Sequence, residues 1–394
     1  MVLEKDLKNI KIPNRKLIDL WRKVKNNNVI SEHYKTLSEE YSYNQVLKGD
    51  FESKSSRIVN CIKFWKINEY EIQKTKDVKS VSFCHDKFCS QCQNKLSIKR
   101  YTVYTPLLKE QEKDYDIYHV VFTIKNPKFG SLKTALDKMY DKFGYIAGYL
   151  NGNRKVAGID FKKYGFGGGI KSLEITINNK KEYHPHFHCL FLFKKNLLFD
   201  KTIKNTFSSS KANGYRLFNE FEILLQRVWY LVYNDIEVNK FNVENLEVVK
   251  KFIGDYEDVN NINSDGYSVI MDKISGVEDK NFKEVFKYTL KSNFKQIANN
   301  YEIFKELYFA LKGTRVLQTY GKIKQIKDEE LDDIINKQTD NYYFAKLKEL
   351  GKVEEYKEEY NTIKQVKEDA SSGAFTFISR NSILKEVFTE VKKK

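Results

Sequence analysis

The sequence predicts an α+β fold, and three observations carry that reading. Short runs rich in β-branched and aromatic residues occur between segments of helical periodicity. Two of those runs, SLEITI and YHPHFHCLFLF, flank the polar stretch NNKKEY in the manner of a β-hairpin. Apolar residues make up 41% of the 394-residue chain, enough for a substantial core. No run approaches the roughly 18 apolar residues of a membrane span, and MVLEKDLKNIKIPNRK lacks the apolar centre of a secretion signal. A soluble, cytoplasmic protein without a membrane partner is expected.

Residues 1–50 are polar and charged, and WRKVKNNNVISEHYKTLSEEYSY suggests one or two weakly amphipathic helices without evident function. Residues 51–110 form a cysteine-rich region in which Cys61, Cys84, Cys89 and Cys92 are spaced C-x22-C-x4-C-x2-C. Thiolates at such spacings in a reducing compartment hold a structural zinc ion tetrahedrally, with Cys89 and Cys92 as the tight knuckle. The alternatives are His85 as fourth ligand with Cys61 an unrelated core thiol, or no metal. KLSIKRYTVYTPLLK continues as a helix.

YHVVFTIKN, Tyr118 to Asn126, reads as a strand bounded by Pro127, and Lys133 to Leu150 as a helix with Leu136, Met139, Tyr140 and Phe143 on one face. The glycine cluster Gly165 to Gly169 lacks the Lys-Ser/Thr of a nucleotide-binding loop, so it is a flexible entry into the strand Ile170 to Ile177. No nucleotide-hydrolysis motif is visible, which argues against helicase or ATPase activity in this chain.

The next strand carries the chemistry. Three of only six histidines, His184, His186 and His188, alternate there with apolar residues, so all three rings lie on one face of an extended strand. That pattern presents a divalent metal. If the hairpin folds near Lys180, Glu174 falls opposite His186 and supplies a carboxylate ligand. Beyond it, Gly214 to Tyr233 reads as a helix with an apolar stripe, and GYSVIMDKI as a sheet strand. On a helix through DKNFKEVFKYTLKSNF, Phe282, Val285, Phe286 and Leu290 share one face, while Glu284, Tyr288, Lys291 and Lys295 share the opposite, polar one. A tyrosine so placed meets something anionic and is a candidate nucleophile.

The formal charge of +16 and an aromatic content of 14% point to a nucleic-acid partner, although an A/T-rich coding sequence produces a similar composition without selection on function. Residues 326–394 read as a charged helical appendage, with homodimerisation or contact with a host protein as its open uses.

Taken together, these motifs resemble the HUH endonucleases, specifically the plasmid rolling-circle replication initiators with one catalytic tyrosine. FTIKN, Phe122 to Asn126, is similar to their first strand motif, His186 and His188 to the metal-binding pair, and Glu284 with Tyr288 to the E-x3-Y element, followed by Lys291. The cysteine set and GTRVLQTYGKIK, Gly313 to Lys324, also have counterparts, so the resemblance covers about Cys61 to Lys324. It implies a nicking domain over residues 111–325, built as a central antiparallel sheet with flanking helices. The metal histidines would lie on a middle strand, with the tyrosine helix facing them.

It further implies Mg²⁺ or Mn²⁺ at His186, His188 and Glu174, with His184 as an additional ligand, phosphate contact or neighbour. Tyr288 would attack a DNA phosphodiester, assisted by Lys287 or Lys291, and Glu284 would act as general base for the water that ends the round. Lys125, Asn126, Lys287 and Lys295 would contact DNA. The substrate would be a single-stranded or hairpin origin, and a helicase from host or plasmid and a DNA polymerase would be partners. A relaxase or transposase of the same chemistry, and a non-catalytic zinc-dependent DNA-binding regulator, are the competing readings.

Overall fold

In the computed structural model the described residues are 15–62, 64–70, 75–178, 181–198, 200–208, 213–252, 268–276, 279–287, 290, 294–331, 334 and 375–379. The chain divides into two units. One comprises residues 1–95, 297–301 and 332–394; the other comprises residues 96–296 and 302–331.

In the first unit, α1 (Arg15–Glu40) and α2 (Gln45–Val59) pack through Ile30, Tyr34, Leu37, Phe51 and Ile58, all buried. The Ser31 and Ser55 hydroxyls hydrogen-bond at 2.7 Å where the helices meet, and Asn44 caps α2 by accepting the Leu47 N–H at 3.1 Å. β1 (Phe64–Tyr70) pairs antiparallel with β2 (Thr75–Val81), and α3 (Ser90–Gln111) begins in this unit before continuing into the second.

The second unit is organised on one sheet. Its strands are β3 (Tyr115–Thr123), β4 (Phe166–Ile177), β5 (Tyr183–Lys194), β8 (Val269–Lys273) and β9 (Leu317–Gly321), in the order β8-β3-β5-β4-β9. Every neighbouring pair is antiparallel, so the sheet is a chain of hairpin-like and long-range pairings with β5 at its centre. The expected α+β class, with an antiparallel sheet and flanking helices, is what the protein adopts.

Each face of the sheet is covered by a different set of side chains, because neighbours along a strand point oppositely. On one face Phe122 and Phe187 meet Phe143 of α4 (Leu132–Leu150), and Phe122 meets Trp229 of α5 (Glu220–Tyr233), in edge-to-face contacts, while Phe191 lies tilted against Phe122. A fully buried phenylalanine stabilises by about 1.5–3 kcal/mol, so this aromatic layer is a main source of stability. On the other face Ile117, Ile170, Leu190 and Leu192 are covered by Tyr104 and Leu108 of α3 and by Phe282 of α8 (Lys280–Glu284), with Val285 and Phe286 just after it.

The outer edge of β8 is closed by α5, whose Glu222 Oε1 accepts the Met271 N–H at 2.7 Å and whose Gln226 accepts the Val269 N–H. A small hairpin of β6 (Ile203–Ser208) and β7 (Asn213–Phe218), the short helices α6 (Lys240–Glu244) and α7 (Leu246–Phe252), and α10 (Tyr301–Leu311) complete this unit. α9 (Phe294–Asn299) draws residues from both units.

Four sequence expectations are corrected. Gly167 to Gly169 of the glycine cluster are not a flexible entry but part of β4, where the register shifts between Phe166 and Gly168. Gly168 sits at φ 128, and a β-carbon there would run into the carbonyl oxygen of Tyr320, so glycine permits the close β4–β9 approach. The helix expected from Gly214 starts only at Glu220, because Asn219 caps it there, accepting the Glu222 N–H at 2.7 Å, and the alternating residues before it pair as β7. α8 ends at Glu284: Phe286 and Lys287 donate to the carbonyls three residues back, a tighter turn than the expected continuous α-helix, with Val285 and Phe286 both buried. Finally, the appendage expected to be helical lies mostly outside the described residues, and its described part includes a strand, β10 (Phe375–Ser379), whose alternating FTFIS pairs antiparallel with β1.

Candidate active site

Between β4 and β5 the Asn178 side chain accepts the Glu182 N–H at 3.0 Å. The register of the two strands places Glu174 directly opposite His186 and Ser172 opposite His188. Directly opposed residues project from the same face, so one carboxylate and two imidazoles converge by strand geometry alone. His188 Nε2 lies 2.9 Å and His186 Nε2 3.5 Å from Glu174 Oε2, and the three side chains are only 11–16% exposed.

The remaining ring nitrogens are also engaged. His186 Nδ1 is 3.1 Å from the carbonyl oxygen of His184, and His188 Nδ1 is 2.9 Å from Nε2 of His119 on β3. His184 is turned elsewhere: its Nδ1 lies 2.8 Å from Oδ1 of Asn126, and it does not join the converging donors. Burial pushes His184 down to about 4 and His119 down to about 3, and it lowers His188 as well. Burial alone would raise the Glu174 carboxyl, but hydrogen bonds from His186 and His188 overcome this and hold it well below the usual carboxylate range.

Two imidazoles beside an ionised carboxylate are a metal's donor set. All three donor atoms lie within 4.8 Å of one another. Ligand bonds of about 2.1 Å put adjacent donors of a six-coordinate ion about 3 Å apart, so the three residues could hold a divalent cation with positions left open for other ligands.

The segment bearing the expected catalytic element lies on the same sheet face as this cluster. Phe282, Val285 and Phe286 are fixed among Leu190, Leu192 and Ile170, which continue the histidine side of β5 and β4. Tyr104 stacks on Phe286 at 6.1 Å, and Ser97 hydrogen-bonds the Phe286 carbonyl. Glu284 forms an ion pair with Lys287, both about a quarter exposed. The Lys287 charge is near enough to His188 to help hold it neutral, after burial as the larger cause. Lys125 and Asn126 are exposed just beyond β3. Tyr288 and Lys291 lie outside the described residues, as does the Lys295 side chain.

In the first unit the four cysteines come together. Cys61, Cys84, Cys89 and Cys92 are buried, with Sγ separations of 3.5 Å for Cys61–Cys92, Cys84–Cys92 and Cys89–Cys61. Tetrahedral zinc with bonds of about 2.3 Å places its sulfurs about 3.8 Å apart, so the cluster fits a closed tetrahedral ion. Asn27 donates to Cys89 Sγ at 3.4 Å, and the buried Asp86 steadies the loop by accepting the Tyr34 hydroxyl at 2.8 Å and the Phe88 N–H at 2.7 Å. His85 is exposed and outside this group.

Residues 75–210 match the family model described as Rep_1, replication protein. The chain is similar to Rep replication proteins. "Protein rep" of Bacillus amyloliquefaciens is 24% identical over 188 residues, covering 47% of this chain and 51% of that protein. "Protein rep" of a Bacillus species is 25% identical over 179 residues, covering 44% and 53%, and that of Lactiplantibacillus plantarum is 26% identical over 265 residues, covering 64% and 68%. The chain thus spans about half the length of the two Bacillus relatives. These matches are to replication proteins, the coarser class to which the motif resemblance pointed, and the Rep_1 segment contains Cys84, Cys89, Cys92, Glu174, His186 and His188. No solved structure matches the chain.

His119 escaped the sequence reading. Its partner is 69 residues away, and only the β3–β5 pairing reveals the contact. The available signal was its rarity: it is another of the six histidines, in the strand just before FTIKN.

Proposed function

We propose that the protein initiates rolling-circle replication by nicking one strand of an origin, in the manner of a single-tyrosine HUH endonuclease. The convergence of Glu174, His186 and His188 on the central strands, on the sheet face that also anchors the segment leading to Tyr288, carries this reading.

A bound Mg²⁺ or Mn²⁺ would neutralise charge on the non-bridging oxygens of the scissile phosphate. Tyr288 Oη attacks phosphorus, the phosphorus–O3′ bond breaks, the tyrosine proton is lost to solvent or a base, and the departing 3′ oxygen takes up a proton. The products are a 5′-phosphotyrosine and a free 3′-hydroxyl that primes a polymerase. Lys287, held beside Glu284, adds positive charge near the phosphate. Glu284 serves as general base when water resolves the covalent link. Lys125, Asn126, Lys291 and Lys295 contact the strand, which is single or extruded as a hairpin. Strand separation falls to a helicase supplied by host or plasmid. The cysteine cluster holds zinc and serves folding.

Incubation of the protein with labelled single-stranded origin oligonucleotides tests this directly. A covalent adduct that requires Mn²⁺, is lost in EDTA and disappears in Tyr288→Phe is expected. DNA binding without an adduct on any oligonucleotide sinks the nicking mechanism, and an adduct that persists in Tyr288→Phe removes Tyr288 as the nucleophile.

A further inference from the structure

We propose that His119 is the positioning residue that orients His188 toward the metal, an assignment that rests on the metal reading of Glu174, His186 and His188. The two metal histidines are held differently. His186 Nδ1 uses the carbonyl oxygen of His184, an acceptor on its own strand that no side-chain substitution removes. His188 Nδ1 relies on a side chain of another strand, His119 Nε2 at 2.9 Å.

A nitrogen that ligates a cation carries no hydrogen, so a neutral ring bound through Nε2 keeps its proton on Nδ1 and needs an acceptor there. His119 Nε2 is in place to accept it. The arrangement also fixes the ring plane: the two imidazoles are 9° from parallel with centroids 5.1 Å apart, and His119 is only 7% exposed. On the far side of β3, Asp272 is the register partner of His119, and its carboxylate is held by Lys201 at 2.8 Å and Arg216 at 2.9 Å. The row Asp272, His119, His188 therefore crosses three strands on one face and ends at the donor cluster. Removing such an outer partner weakens metal affinity by about 10–100-fold while leaving the ligands themselves present.

The test is Mn²⁺ titration of the full chain followed by electron paramagnetic resonance, with the cysteine cluster left loaded. His119→Phe keeps an aromatic ring but has no hydrogen-bonding atom, and should weaken Mn²⁺ binding by about 10–100-fold. His119→Gln places a hydrogen-bonding group near the position of Nε2 and should restore binding to within a few-fold of the unsubstituted protein. Thermal unfolding of both variants confirms that they are folded. Equal Mn²⁺ affinity in His119→Phe and the unsubstituted protein overturns the assignment, and so does equal weakening by Phe and Gln, which signals packing alone. His188→Ala separates the two levels: if Mn²⁺ binding by the unsubstituted protein is insensitive to His188→Ala, the metal site itself falls and the role of His119 with it.

Discussion

Lys171 is the sharpest quantitative test of the tertiary structure. It lies on β4 three residues before Glu174, points to the opposite face, and is 1% exposed. Its Nζ sits over the rings of Tyr140, Phe143 and Phe187 at 4.1, 4.5 and 4.1 Å from their centroids. Burial lowers this ammonium from its ordinary 10.5 to about 7. That drop corresponds to roughly 5 kcal/mol against the charged form.

Because the folded value is below the unfolded one, the unfolded chain binds more protons between about pH 7 and 10.5, and stability rises with pH across that window. The penalty is fully present below about pH 7, is roughly 4 kcal/mol at pH 7, and falls to roughly 1 kcal/mol at pH 9.5. The ring faces offset part of it, by about 0.5–2 kcal/mol. Lys171→Met fills the same slot with an apolar, flexible chain. Urea denaturation should find Lys171→Met more stable at pH 7 by roughly 2–4 kcal/mol, with the gap narrowing by about 1–3 kcal/mol on going to pH 9.5. A gap that does not narrow, or a variant less stable at pH 7, refutes the buried-ammonium reasoning. Mn²⁺ affinity should not change, since Lys171 faces away from the histidines.

Three further outcomes follow from other contacts. Glu174→Gln should weaken Mn²⁺ binding at least about tenfold, and the unsubstituted site, with two imidazoles, should prefer Mn²⁺ to Mg²⁺; calorimetric titration showing equal affinities counts against the donor set. Cys89→Ser should abolish bound zinc in elemental analysis and expose the first unit to proteolysis, since a structural zinc contributes about 10 kcal/mol or more to folding; a variant that retains zinc and resistance shows that the four thiols are not its ligands. Glu306 accepts the Gly130 and Leu132 N–H groups at 2.9 and 3.0 Å and the Tyr183 hydroxyl at 2.9 Å, tying the start of the histidine strand to α10. Glu306→Ala should therefore cost about 2–4 kcal/mol in urea, and a loss below about 0.5 kcal/mol would show these bonds to be replaced by water.

The local chemistry of this chain was legible in its sequence. Alternation in HPHFH put His186 and His188 on one face, a symmetric fold of the hairpin put Glu174 opposite His186, and cysteine spacing alone grouped Cys61 with three thiols more than twenty residues away. Those relations follow from strand period, hairpin register and ligand count, which are properties of neighbouring residues. The tertiary structure decided what depends on distant pairing. His119 reaches His188 only because β3 lies beside β5, and β10 adds to β1 across some three hundred residues. Lys171 reads like an ordinary boundary lysine until α4 closes over it. Likewise Gly168 looks like loop flexibility until the approach of β9 leaves no room for a side chain. Each of these is set by which strands and surfaces the folded chain brings together, a long-range outcome that no window of sequence contains.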